Sequence, residues 1–119
     1  MQILDAKLLL NNVDGDRELL EEIVQLFFDS STDMLTAIRE AVSAADGDAL
    51  QKSAHRFKGS LGNMGAESAA AAASELESLG RRGSMTGLEQ ALAKLEEEFV
   101  RLTPHLQGLV SGHAAPNES

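Results

Sequence analysis

Apolar residues recur at helical spacing through most of the chain, and the polar residues between them mark where each helix starts and stops. Met1 to Asn12 carries Ile3, Leu4, Leu8, Leu9 and Leu10, which predicts a turn or two of helix packed across one end of a bundle. Asp14-Gly15-Asp16 supplies a turn and an N-cap. Leu19, Leu20, Ile23, Val24, Phe27 and Phe28 then form one face of a long helix, with Glu18, Glu21, Glu22 and Gln25 on the other. The polar run Asp29 to Asp33 competes with the helix backbone, and Ser30 with Asp33 makes a weak capping box, so a break or kink is predicted there. Met34, Leu35, Ile38, Val42 and Ala45 form the next stripe, closed by Asp46-Gly47-Asp48, whose aspartates suit the cap of a helix from Asp48 to about Asn63.

Gly65 is placed to take the left-handed conformation that ends a helix, and Ala66 to Leu79 begins the next. Its run Ala69 to Ala73 is strongly helix-forming and nearly without side-chain volume, so neighbouring helices can approach closely. Leu76 and Leu79 continue the apolar face, with Glu75 and Glu77 between them as polar positions. Gly80-Arg81-Arg82-Gly83 reads as a tight reversal, and Thr86 with Glu89 as a capping box. Leu88, Leu92, Leu95, Phe99, Leu102 and Leu106 alternate steps of four and three, the seam of a helix lying nearly parallel to its neighbours. Pro104 falls in its last turn and is expected to kink or thin it.

The sum is an all-α protein, an antiparallel four-helix bundle with a short N-terminal capping helix over residues 1–107. Residues 108–119, rich in Gly, Ser, Ala, Pro and Asn, are expected to be a flexible C-terminal tail. The chain's 119 residues suffice for one domain with its own core. Cysteine is absent, which removes disulfides and thiolate metal sites. A net charge of −9 opposes the phosphate attraction behind nucleic-acid binding, so no nucleic-acid partner is expected. No apolar run approaches a membrane span and no leader is evident at Met1, so the expected setting is cytoplasmic, with no membrane partner. The start at Met1 and the loose tail favour a free protein over a domain of a larger kinase.

The chemistry gathers on the third of these helices. With Leu50 at zero and about 100° per residue, Leu50, Ala54, Phe57, Leu61 and Met64 share one buried line. His55 then lies at about 140°, Lys58 at about 80°, Gln51 at about 100°, Gly62 at about 120° and Gly59 at about 180°. The histidine therefore faces outward beside two glycines that each cost roughly 1 kcal/mol of helix propensity. Glycine also serves close packing inside a protein, but an outward position favours clearance for something that approaches from outside. His105, after Pro104 at the end of the last helix, and His113, in the tail, read as solvated residues.

Metal binding is disfavoured because the positions one turn from His55 are Gln51, Lys52, Lys58 and Gly59. Serine-type catalysis would need a concave gathering of Ser and Asp about the ring. An acid–base enzyme using His55 and Lys58 is disfavoured because neither a pocket nor a second carboxylate is implied. A nucleophilic role fits better: neutral imidazole is a competent nucleophile, and Lys58 on the same side can set an ammonium against a phosphoryl group on the ring. Gly59 and Gly62 give a bulky macromolecular donor access.

Ala54-His55-Arg56-Phe57-Lys58-Gly59-Ser60, followed by Gly62-Asn63-Met64-Gly65-Ala66, resembles the signature of the histidine-containing phosphotransfer (HPt) domains of two-component phosphorelays. The likeness extends from the segment Asp14 to Leu20 through Ser74 to Glu77, nearly the whole chain except the tail. It implies that His55 accepts a phosphoryl group on Nε2 from the phospho-aspartate of a receiver domain and passes it to another receiver's aspartate. It further implies electrostatic help from Lys58, a second polar neighbour in Gln51, and docking of the receiver over Gly59 and Gly62. The receiver would supply Mg²⁺, and this chain would need no cofactor. The domain would be a carrier and substrate without kinase activity, expected to act as a monomer. The competing reading is a helical adaptor that binds a receiver-like partner without phosphotransfer.

Overall fold

The computed structural model describes residues 1–111, which contain five α-helices and no strand. They are α1 (Ala6–Asn12), α2 (Arg17–Ser43), α3 (Gly47–Asn63), α4 (Glu67–Arg82) and α5 (Leu88–Ser111). The four long helices make the expected antiparallel bundle: each packs on its neighbour in sequence, and α5 closes the ring on α2. The short connections between them leave no alternative to antiparallel neighbours. None of the described helices is long and apolar enough to cross a membrane.

Carboxylates start three helices, two of them, Asp16 and Asp46, within the predicted capping segments and the third, Asp5, without a prediction. Asp5, Asp16 and Asp46 each accept a hydrogen bond at 3.1 Å, from the amides of Leu8, Leu19 and Ala49 respectively. Asp48 instead lies in the first turn of α3 and pairs with Lys52 at 3.1 Å. The N-terminal segment does cap one end. Leu4, Leu9 and Val13 are buried, and the Asp5 amide donates to the Gly65 carbonyl at 2.7 Å. Gly65 has φ +73 and lies so close to Asp5 that a Cβ there would sit 2.9 Å from its carbonyl oxygen.

The predicted stripes supply most of the core, although Leu8 and Leu19, counted among them, are exposed at 40% each. Leu50, Ala54, Phe57, Leu61 and Met64 of α3 are all buried, as are Leu88, Leu95, Leu102 and Leu106 of α5. All four phenylalanines meet in one cluster, with Phe99 of α5 within 6.4 Å, ring centre to ring centre, of Phe27, Phe28 and Phe57. Phe57 anchors the inner face of α3 and so fixes the rotation that turns His55 outward.

Four expectations fail. The predicted break at Asp29 to Asp33 does not occur, and α2 runs 27 residues without interruption. Its hydroxyls bond back to the preceding turn: Ser31, fully buried, donates to the Phe27 carbonyl at 2.6 Å, and Thr32 donates to Phe28 at 3.3 Å. The second failure is the reversal at Gly80 to Gly83, where α4 continues to Arg82 and ends on Gly83 in the left-handed conformation. Gly80 is buried because its missing side chain admits α3: a Cβ there would lie 2.7 Å from the Gly47 carbonyl oxygen and 2.8 Å from the Gln51 nitrogen. Third, Thr86 is one residue too early for a capping box, because α5 starts at Leu88 and Gly87, at φ +82, takes the flanking position.

Last, α5 passes through Pro104 and reaches Ser111, beyond the boundary expected at residue 107. On either side of the proline, side chains add bonds to the preceding turn: the Thr103 hydroxyl donates to the Phe99 carbonyl at 3.1 Å, and the His105 Nδ1–H donates to the Arg101 carbonyl at 3.0 Å. His105 therefore lies within the helix. The rest of the expected tail, residues 112–119 with His113, lies outside the described residues.

Candidate functional site

Helix α3 places His55 on the side of the bundle opposite Phe57, with 66% of its side chain exposed. Gly59 and Gly62 flank it over open space, since a Cβ at either would meet nothing within 4 Å. Internal packing therefore does not require these glycines, unlike Gly47 and Gly80, whose backbones touch beneath the same surface. Gln51, Lys52, His55, Arg56 and Glu77 line a shallow, open depression.

The sequence reading missed Glu77. Helix α4, drawn against α3 at the Gly47–Gly80 contact, brings this carboxylate beneath the histidine. Only 5% of the residue is exposed. Oε2 lies 2.9 Å from His55 Nδ1 and 3.1 Å from Arg81 Nη2, and Oε1 lies 2.6 Å from Lys58 Nζ. The expectation that no carboxylate accompanies His55 and Lys58 is thus overturned. A signal existed in the sequence: Ala69, Ala73, Glu77 and Gly80 succeed one another at steps of four and three, so Glu77 interrupts a stripe of small residues.

Burial alone would favour the neutral acid, yet the Glu77 carboxyl is held below its ordinary value of 4.5. The Lys58 ammonium is the largest cause, burial opposes it, and His55 adds a smaller lowering. Glu77 is therefore an anion at neutral pH. An ionised carboxylate can only accept, so the His55 Nδ1 must carry a hydrogen and donate it. In the neutral ring the lone pair then resides on Nε2, the nitrogen not engaged by Glu77.

Positive charge concentrates on the same two helices. Five of the ten Lys and Arg residues in this acidic chain, Lys52, Arg56, Lys58, Arg81 and Arg82, belong to α3 and α4. Among the described residues, no group of three or more His, Asp or Glu is arranged to hold a metal ion. The arrangement offers one exposed nitrogen nucleophile, an anion behind it and cations about it.

The family model for the Hpt domain matches residues 22–105, more than half of the chain. The chain belongs to the Hpt domain family. A crystal structure of histidine-containing phosphotransfer protein B (HptB) from Pseudomonas aeruginosa PAO1 is similar to it, with a TM-score of 0.86 and 27% sequence identity. The match covers 93% of this chain and 96% of that one. A search of curated proteins found no match. Hpt proteins are phosphocarriers that interact with receiver domains, and membership gives this chain a role in histidine phosphotransfer within phosphorelays.

Proposed function

We propose that His55 is the phosphoryl-carrying residue, taking the group from the phospho-aspartate of one receiver domain and giving it to the aspartate of another. The observation that carries this reading is the Glu77 carboxylate bonded to Nδ1 of an exposed imidazole. Nε2 attacks the phosphorus, the Nε2–P bond forms, and the P–O bond to the donor aspartate breaks. The donor carboxylate leaves with the electron pair. No proton need move, because Nδ1 keeps its hydrogen throughout. The ring becomes a phospho-imidazolium whose positive charge faces Glu77, much as a buried aspartate supports the histidine of a serine protease. Keeping Nδ1 protonated also leaves the ring a good leaving group, so the reverse chemistry delivers phosphate to the next aspartate.

The other residues take roles consistent with their positions. Lys58 sets its ammonium against the phosphoryl oxygens, and Gln51 borders the depression as a second polar neighbour. Gly59 and Gly62 leave room for the receiver's surface. The receiver brings Mg²⁺ and in-line geometry. On this reading the chain has no cofactor and no kinase activity of its own, and it works as a monomer in the cytoplasm.

Incubation with a phosphorylated receiver tests the proposal. Label should appear on the wild-type chain, resist base and be lost in acid, as a phosphoramidate does, and the His55→Gln variant should acquire none. A receiver that binds without transferring label would make the protein an adaptor, and label persisting in His55→Gln would place the acceptor elsewhere.

A further inference from the structure

Arg81 belongs to an arginine pair that the phosphotransfer reading leaves without a part, yet its guanidinium lies 3.1 Å from the same Glu77 oxygen that bonds His55. Three cationic or proton-donating groups thus converge on one buried carboxylate, two from α3 and one from α4. They differ in what the reaction asks of them. His55 must keep its hydrogen bond to Glu77 while its charge develops. Lys58 must turn toward a phosphoryl group carrying two negative charges, although in this structure it rests on Glu77 Oε1 at 2.6 Å. That contact is a close ion pair with a buried carboxylate, so the ammonium leaves at least cost when another cation stays on Glu77.

Releasing Lys58 has a consequence for Glu77. A carboxylate with 5% exposure that loses its nearest cation must gain a proton, pull the ammonium back, or keep another cation. Arg81 offers a guanidinium from the same helix as Glu77, one turn away and 3.1 Å from Oε2. We infer that Arg81 is a positioning residue: it holds the Glu77 carboxylate aligned on His55 Nδ1, and so frees Lys58 to serve the phosphoryl group. The inference rests on the reading of His55 as the carrier.

Rates of transfer from a phosphorylated receiver to Arg81→Gln, Glu77→Gln, the double variant and Arg81→Lys decide it. If Arg81 works through Glu77, Arg81→Gln slows transfer roughly ten- to a hundredfold, the scale of a lost charge-assisted hydrogen bond. The double variant is then no slower than Glu77→Gln alone, and Arg81→Lys recovers most of the rate. An ordinary exposed ion pair within one helix would change thermal stability slightly and leave the rate at the wild-type value, which would overturn the inference. So would a double variant slowed by the product of the two single effects, because Arg81 would then act independently, for example by touching the receiver. An unlabelled wild-type chain would defeat the carrier reading itself, an outcome distinct from both.

Discussion

Two buried carboxylates in this protein look alike locally and differ in what surrounds them. Glu77 in α4 and Glu98 in α5 are 5% and 4% exposed, and each has an arginine within one turn on its own helix. Among the described residues Glu98 bonds only within α5: Oε2 lies 2.9 Å from Lys94 Nζ and 3.4 Å from Arg101 Nη1, and Oε1 has no hydrogen-bond partner. Glu77 reaches across to α3 and holds an imidazole and an ammonium there. A carboxylate satisfied by its own helix can brace that helix. One that crosses a helix interface couples the positions of groups from two elements, and only the second arrangement can orient a nucleophile.

The sharpest test of the contrast compares neutral isosteres. Glu77→Gln removes the charge that faces the developing imidazolium and should slow phosphotransfer about 10- to 100-fold, the range seen when partners that orient a reacting imidazole are lost. Glu98→Gln should leave the transfer rate unchanged, as measured with the same labelled receiver. Equal losses in the two variants would mean that burial of charge, and not contact with His55, is what matters.

Next in size is a contrast between glycines. Gly80→Ala forces a Cβ to within 2.7 Å of the Gly47 carbonyl oxygen, and neither backbone can yield without separating α3 from α4. It should cost about 1–3 kcal/mol in urea unfolding and slow transfer too, because Glu77 moves away from His55. Gly59→Gln should do the opposite to stability, adding up to about 1 kcal/mol of helix propensity in open space, while slowing transfer by obstructing the receiver. A Gly59→Gln variant with the wild-type rate would show that the receiver does not use that face.

The smallest expected effect is on the acid limb of stability. Glu77 has a folded value below its ordinary one, so its contribution is complete above 4.5 and is lost as pH falls through the folded value. Melting temperatures of the wild type should therefore drop more steeply below pH 4.5 than those of Glu77→Gln. Parallel curves would mean that the lysine and histidine do not stabilise the anion.

What was readable in the sequence was whatever depends on one helix at a time. The apolar stripe of α3, the outward direction of His55 and Lys58, the clearance at Gly59 and Gly62, and the aspartate caps all follow from about 100° per residue and local hydrogen bonding. Where local rules offered two outcomes, the fold decided. Ser31 could have broken α2, but its hydroxyl found the Phe27 carbonyl on the buried face of the helix. Gly80 could have ended α4, but it served as a seat for Gly47.

The rest lay beyond any reading of one helix. Whether Glu77 faced water or His55 depended on which side of α4 met α3, at what height and at what separation, and the Gly47–Gly80 contact sets all three. The amino-acid sequence alone therefore determined the helices, their order and the outward-facing imidazole of His55. Only the packing of α4 on α3 decided that a carboxylate stands behind that imidazole, because the contact joins residues 22 positions apart through geometry that no local periodicity encodes.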